Sequence, residues 1–117
     1  MLRLGASRLR RALSTSSIPP SRTKFLLSYD YVPGILEKRA PHRAAHVELA
    51  REEVAAGRLE QAGATGPISS EPTGAVFVFT TEDAAPVKAF VRKDPYHIHG
   101  LVPSYSIEEW TVVVGDT

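Results

Sequence analysis

Few side chains in this sequence suit chemistry, and their types narrow the options. There are four histidines, His42, His46, His97 and His99, and no cysteine. Without thiols, disulfides, thiolate nucleophiles and zinc–thiolate sites are excluded. No serine stands in a persuasive nucleophile setting, which leaves acid–base work as the chemistry the chain is equipped for. His42 and His46 lie four residues apart, on one side of a helix if the helix has begun by His42. His97 and His99 alternate, so an extended segment would project both imidazoles to one side. Four imidazoles suffice in principle for a transition metal. No carboxylate spacing supports them, and neither a metal nor a cofactor is expected. Each of these residues also has a plainer reading. His46 suits a structural role satisfied by a carbonyl, Asp94 before Pro95 is a normal turn starter, and Tyr96 suits the core or a dimer contact.

The elements that must position these residues follow from local pattern. Lys24 to Tyr31 (KFLLSYDY) is aromatic and aliphatic and reads as a strand, ended by Pro33-Gly34. Pro41 suits the first turn of a helix, the run to Ala56 is rich in Ala, Glu, Leu and Arg, and Gly57 is a C-cap. Arg43, Val47, Ala50 and Val54 share one face of that helix, while Glu48, Glu52 and Glu53 are expected on its solvated side. Leu59 to Ala64 is a short strand, residues 65–74 a Gly/Pro/Ser loop, and Ala75 to Thr80 (AVFVFT) the clearest strand. Thr81 is expected to cap a second helix running to about Lys93, with Glu82 and Asp83 in its first turn. Ser104 to Val114 is expected to be the last strand.

The order is β-α-β-β-α-β, an α+β fold with the ferredoxin-like split arrangement and an antiparallel sheet. Two helices cover one face of such a sheet. Val76 and Val78 point away from Phe77 and Phe79, and Trp110, Val112 and Val114 away from Ile107 and Val113, so both faces read as apolar. A sheet with one solvated face should alternate with polar residues. The second face is therefore expected to pack against a second copy, making a homodimer.

The length of 117 residues suits one domain. The net charge of +1 conceals an asymmetry. Arg3, Arg8, Arg10, Arg11, Arg22 and Lys24 precede the first acidic residue, Asp30, and the remainder carries 8 basic against 13 acidic residues. A body near −5 with no basic stripe argues against a nucleic-acid partner. No apolar run approaches the roughly 18 residues that span a bilayer, so no membrane insertion is expected. At the start, Leu2, Ala6, Leu9 and Leu13 fall on one helical face, the arginines lie mostly elsewhere around it, serines follow at 14, 16 and 17, and Pro19-Pro20 breaks any helix. An amphipathic, Arg- and Ser-rich, acid-free start is the pattern of an organellar transit peptide. Residues 1–22 are accordingly read as a mitochondrial, matrix-directing presequence cleaved near Leu13 or within the next ten residues, and residues 23–117 as the domain. The lack of cysteine agrees with a reducing interior compartment.

The body resembles the YciI-like (YCII-related domain) family. The resemblance rests on Leu36-Glu37-Lys38-Arg39, Arg43-Ala44-Ala45-His46, Gly57-Arg58-Leu59 with Gly63 beyond, and Ala89-Phe90 leading to Asp94-Pro95-Tyr96 and Gly100, in this order and spacing. It implies a dimeric α-β barrel and a His–Asp site, whose positions match His46 and Asp94. Arg43 and Tyr96 match neighbouring motif positions. One activity known in the family is dehydrochlorination of hydroxylated chloroaromatics. The loop at 65–74 matches no fixed pattern and the presequence is not a family feature, and neither carries that substrate over.

On this resemblance Asp94 would orient the imidazole, leaving the other ring nitrogen of His46 as a base toward a phenol or activated carbon. Arg43, one turn before His46, would hold an anionic oxygen, and Tyr96 would donate a hydrogen bond. The expected function is a small lyase- or hydrolase-type enzyme acting on a small anionic or aromatic metabolite. The alternative is a non-catalytic dimeric module that binds a ligand or serves assembly.

Overall fold

The computed structural model describes residues 22–115. All but the last residue of the segment read as a presequence thus lies outside the described residues. The chain forms β1 (Thr23–Asp30), a single turn α1 (Ile35–Lys38), a 3-10 turn (Ala40–His42) running into α2 (Arg43–Ala55), β2 (Leu59–Thr65), β3 (Gly74–Thr81), α3 (Ala85–Lys93), a second single turn α4 (Pro95–Ile98), and β4 (Ser104–Glu109). The strands make one antiparallel sheet in the order β2-β3-β1-β4. This is the α+β, ferredoxin-like arrangement.

Strand alternation decides which face of the sheet is the core. Phe25, Leu27 and Tyr29 on β1 and Ala75, Phe77 and Phe79 on β3 are buried, whereas Leu26, Ser28, Val76 and Val78 between them are only half-buried. Val87, Phe90 and Val91 of α3 close over the buried set, and Phe90 meets both Phe77 (5.3 Å between centroids) and Phe79 (5.5 Å).

Three local expectations are corrected. The last strand ends at Glu109, not Val114: among the described residues its ladder partner is β1, their pairing closes with Phe25 opposite Glu109 near the start of β1, and beyond it Trp110 N–H reaches the Lys24 carbonyl. Val113 and Val114 beyond it are exposed. Thr81 does not cap α3. It completes β3 opposite Thr23, and Asp83 accepts from the Ala85 N–H at the start of a helix that begins four residues later. Glu53 is not on a solvated face; it is buried, and the Arg58 guanidinium grips both its oxygens at 2.8 and 3.0 Å.

The back of the sheet is apolar only at its centre. Leu26, Val76 and Val78 form that patch, and β4 contributes Ser106 and Glu108 to the same face.

Candidate functional site

The inner face of α2 is unusual for a helix laid on a sheet. Its buried residues are His46 and Glu53, both polar. The Arg43, Val47, Ala50 and Val54 stripe does not sit in a packed core; it lines an open cavity of about 430 Å³ between α2 and the sheet. The sequence makes this room with small side chains, placing Ala50 on α2 opposite Ala62, Gly63 and Ala64 on β2 and Ala75 on β3. A wall so built cannot close on itself as a Leu- or Phe-rich one would.

At the cavity's inner end the structure brings together His46, Asp94 and Tyr96. Asp94 is fully buried and follows α3 directly, in an extended conformation that ends that helix and caps α4. Its Oδ1 accepts from the Tyr96 N–H at 3.0 Å and lies 2.8 Å from His46 Nδ1. Its Oδ2 accepts from the Tyr29 hydroxyl at 2.7 Å. A buried carboxylate is tolerable when its lone pairs are met in this way. With Nδ1 donating to Asp94, Nε2 on the far side of the ring carries the free lone pair. The His46 ring is stacked flat on Tyr96, with centroids 3.8 Å apart and planes within 4°, and it meets Phe77 edge-on at 6.2 Å. The imidazole is therefore fixed in plane as well as in tautomer.

Tyr96 is buried and lines the cavity, and its phenol oxygen has no partner among the described residues. Arg43 is exposed at the cavity wall, one turn before His46. Arg39 and Arg51 join it, and among the described residues no carboxylate lines the cavity. Tyr31 completes the aromatic wall, edge-on to Tyr96 at 6.0 Å. Burial, reinforced by Tyr96 and the Asp94 charge, pushes its phenol up to about 12 against the pull of Arg39 and Arg43. Burial, and then the Asp94 charge and hydrogen bond, push the Tyr29 phenol up further still. Both tyrosines thus remain hydroxyl donors at neutral pH.

Tyr29, Tyr31 and Arg51 escape a reading based on motifs, and Arg39 enters it only within Leu36-Glu37-Lys38-Arg39, with no role at the site. The signal for the tyrosines lies in KFLLSYDY itself, where Phe25, Leu27, Tyr29 and Tyr31 alternate onto the core side and put two phenols at its end.

The remaining histidines do not converge on this site. His97 belongs to α4 and not to an extended segment, so His97 and His99 do not share a side; His97 meets Tyr105 edge-on while His99 stacks on His42 at 4.0 Å. Among the described residues no group of three or more His, Asp or Glu is placed to hold a metal, and no helix is long and apolar enough to cross a membrane.

The solved structures include two similar chains. One is 5-chloro-2-hydroxyhydroquinone dehydrochlorinase (TftG) from Burkholderia phenoliruptrix AC1100, in complex with 2,5-dihydroxybenzoquinone. It is 27% identical, with a TM-score of 0.64, over 75% of this chain and 93% of that one. The other is an uncharacterized NIPSNAP-like domain protein from Burkholderia xenovorans, 15% identical with a TM-score of 0.50 over 83% of this chain and 90% of that one, which shows likeness of fold alone. No curated protein matches the chain. The model of the YCII-related domain matches residues 23–111, and the chain belongs to that family.

Proposed function

We propose that this protein is an acid–base enzyme of the lyase type acting on a small anionic aromatic compound. The observation that carries the reading is the 2.8 Å contact of His46 Nδ1 with the buried Asp94 carboxylate behind it, with the imidazole in the wall of a cavity that, among the described residues, three arginines and no carboxylate line. In this reading His46 Nε2 takes a proton from a substrate hydroxyl or activated carbon. The electron pair left behind forms a new double bond and expels an anionic leaving group, while Asp94 stabilises the imidazolium. Arg43 holds the developing oxyanion, and Tyr96, stacked flat on the imidazole, keeps it in plane. The likeness to a dehydrochlorinase that binds a dihydroxybenzoquinone supports the substrate class, at 27% identity.

The test is a thermal-shift screen of hydroxylated aromatic acids against the full chain, followed by turnover assays on whatever stabilises it. A compound bound by wild type, turned over, and left unchanged by His46→Gln is the expected result. If no compound stabilises the protein, or turnover survives His46→Gln, the reading is wrong.

The working unit in this reading is a homodimer joined through Leu26, Val76 and Val78 at the back of the sheet, and it works in the mitochondrial matrix after loss of a presequence. The half-buried apolar patch supports the first statement, and the acid-free, arginine-rich start the second. Mass spectrometry of the native protein should find a new N-terminus between about residues 13 and 24; an intact Met1 in the organelle would remove the import reading.

A further inference from the structure

A second cavity, of about 500 Å³, adjoins the first. The two share Arg39, Ala64 and Pro72 as lining residues, so they are compartments of one trough and not separate features. Their linings differ in kind. The first holds His46, Arg43 and Arg51 among aromatic walls, whereas Leu36 and Ile68 face the second. Those two side chains are 48% and 104% exposed, large apolar groups left in water beside a charged compartment. Leu36 is part of the compartment's wall and Ile68, fully solvated, stands at its rim, so an apolar group received there would take both out of water.

The outer compartment is held in shape before any ligand arrives. Glu71, near the end of the β2–β3 connection, accepts from the Gly34 N–H at 2.9 Å and the Leu36 N–H at 3.3 Å, tying that connection to α1. Thr73 N–H bonds the Thr65 carbonyl, and Tyr31 N–H bonds the Thr73 carbonyl, fixing both ends of the loop to the sheet. A preformed groove holds a chain at lower ordering cost than a loop that must close on it.

We propose that the substrate is elongated: an anionic aromatic head in the His46 compartment, and an apolar tail that passes Arg39, which lines both compartments, to lie over Leu36 and Ile68. This rests on the head-group reading above and adds a chain-length requirement to it. The outer groove is a specificity element, built between Leu36 and Arg39 on one side and the segment 65–74 on the other.

The test compares 4-methoxybenzoate with 4-hexyloxybenzoate, titrated calorimetrically into the full chain. The hexyl ether should bind at least tenfold more tightly, since the two probes differ only in methylenes. Leu36→Ser and Ile68→Ser, both at exposed positions, should cut that advantage below threefold while leaving 4-methoxybenzoate affinity unchanged. Equal affinities for the two probes would overturn the extended substrate and leave the head-group reading intact. A hexyl advantage that survives both substitutions would overturn it too, by placing the tail elsewhere. Binding of neither probe would count against the head-group reading as well as the extension.

Discussion

Tyr29→Phe isolates the most exacting contact in the site. The substitution removes one oxygen and keeps the ring, so the edge-on packing against Phe77 at 4.9 Å is preserved. What is lost is the 2.7 Å bond to Asp94 Oδ2, at a carboxylate with no exposure to water. A hydrogen bond to a charged group contributes about 1.5–3 kcal/mol, and an acceptor left buried without its donor keeps its full desolvation penalty. The expected loss is therefore about 2–3 kcal/mol. In urea the midpoint should fall with no change in slope, and for a domain of this size the melting temperature should drop about 4–8 °C per kcal/mol. Tyr31→Phe is the matched control, since no hydrogen bond of its hydroxyl is seen among the described residues; it should cost less than about 0.5 kcal/mol. A Tyr29→Phe protein as stable as wild type, or no less stable than Tyr31→Phe, would refute the view that Asp94 is held as a buried anion by three donors.

Both core-side phenols are harder to ionise folded than unfolded, where the ordinary value is 10.0. The native state thus keeps protons the unfolded chain releases, and stability is complete below pH 10 and lost as pH rises above it. Tyr29 alone should give a slope near 1.4 kcal/mol per pH unit in that range, with Tyr31 adding in the same direction up to about pH 12; urea unfolding at pH 9, 10 and 11 measures this, and a flat profile contradicts it. Gly74→Ala drives a Cβ into the Tyr29 carbonyl oxygen, on backbone that cannot yield without opening the β1–β3 ladder; denaturant titration should show a loss of about 3 kcal/mol or more. Val78→Glu charges the centre of the back face and should convert a dimer to a monomer by light scattering at micromolar concentration. A wild-type chain already monomeric there would contradict the dimer.

What could be read from residues alone depended on how local the cause was. AVFVFT is so rich in β-branched and aromatic residues that β3 follows from its own side chains, and the Ala- and Glu-rich run after Pro41 needs only helix propensity. The end of β4 was not local. It depends on where β1 begins, which a β-rich WTVVV run cannot reveal. The burial of Glu53 was equally hidden, since it follows from Arg58 folding back across the Gly57 turn. For the site, His46 and Asp94 were visible through their motif neighbourhoods, whereas Tyr29 was not, being 65 residues from the carboxylate it serves. Arg39 and Arg51 look like ordinary surface charges until α2 is laid over the small residues of β2.

The carboxylate of Asp94 also has a consequence for motion. It draws on β1, α2 and α4 at once, and α4 is a single turn that would fray at once on its own. Releasing that turn would strip the Tyr96 donor from a carboxylate with no access to water, so local opening there carries the penalty of an orphaned buried anion. Amide protons of Tyr96 and Ile98 should consequently exchange with deuterium as slowly as those of the central strands, through global unfolding alone, although they sit in one of the shortest helices of the fold.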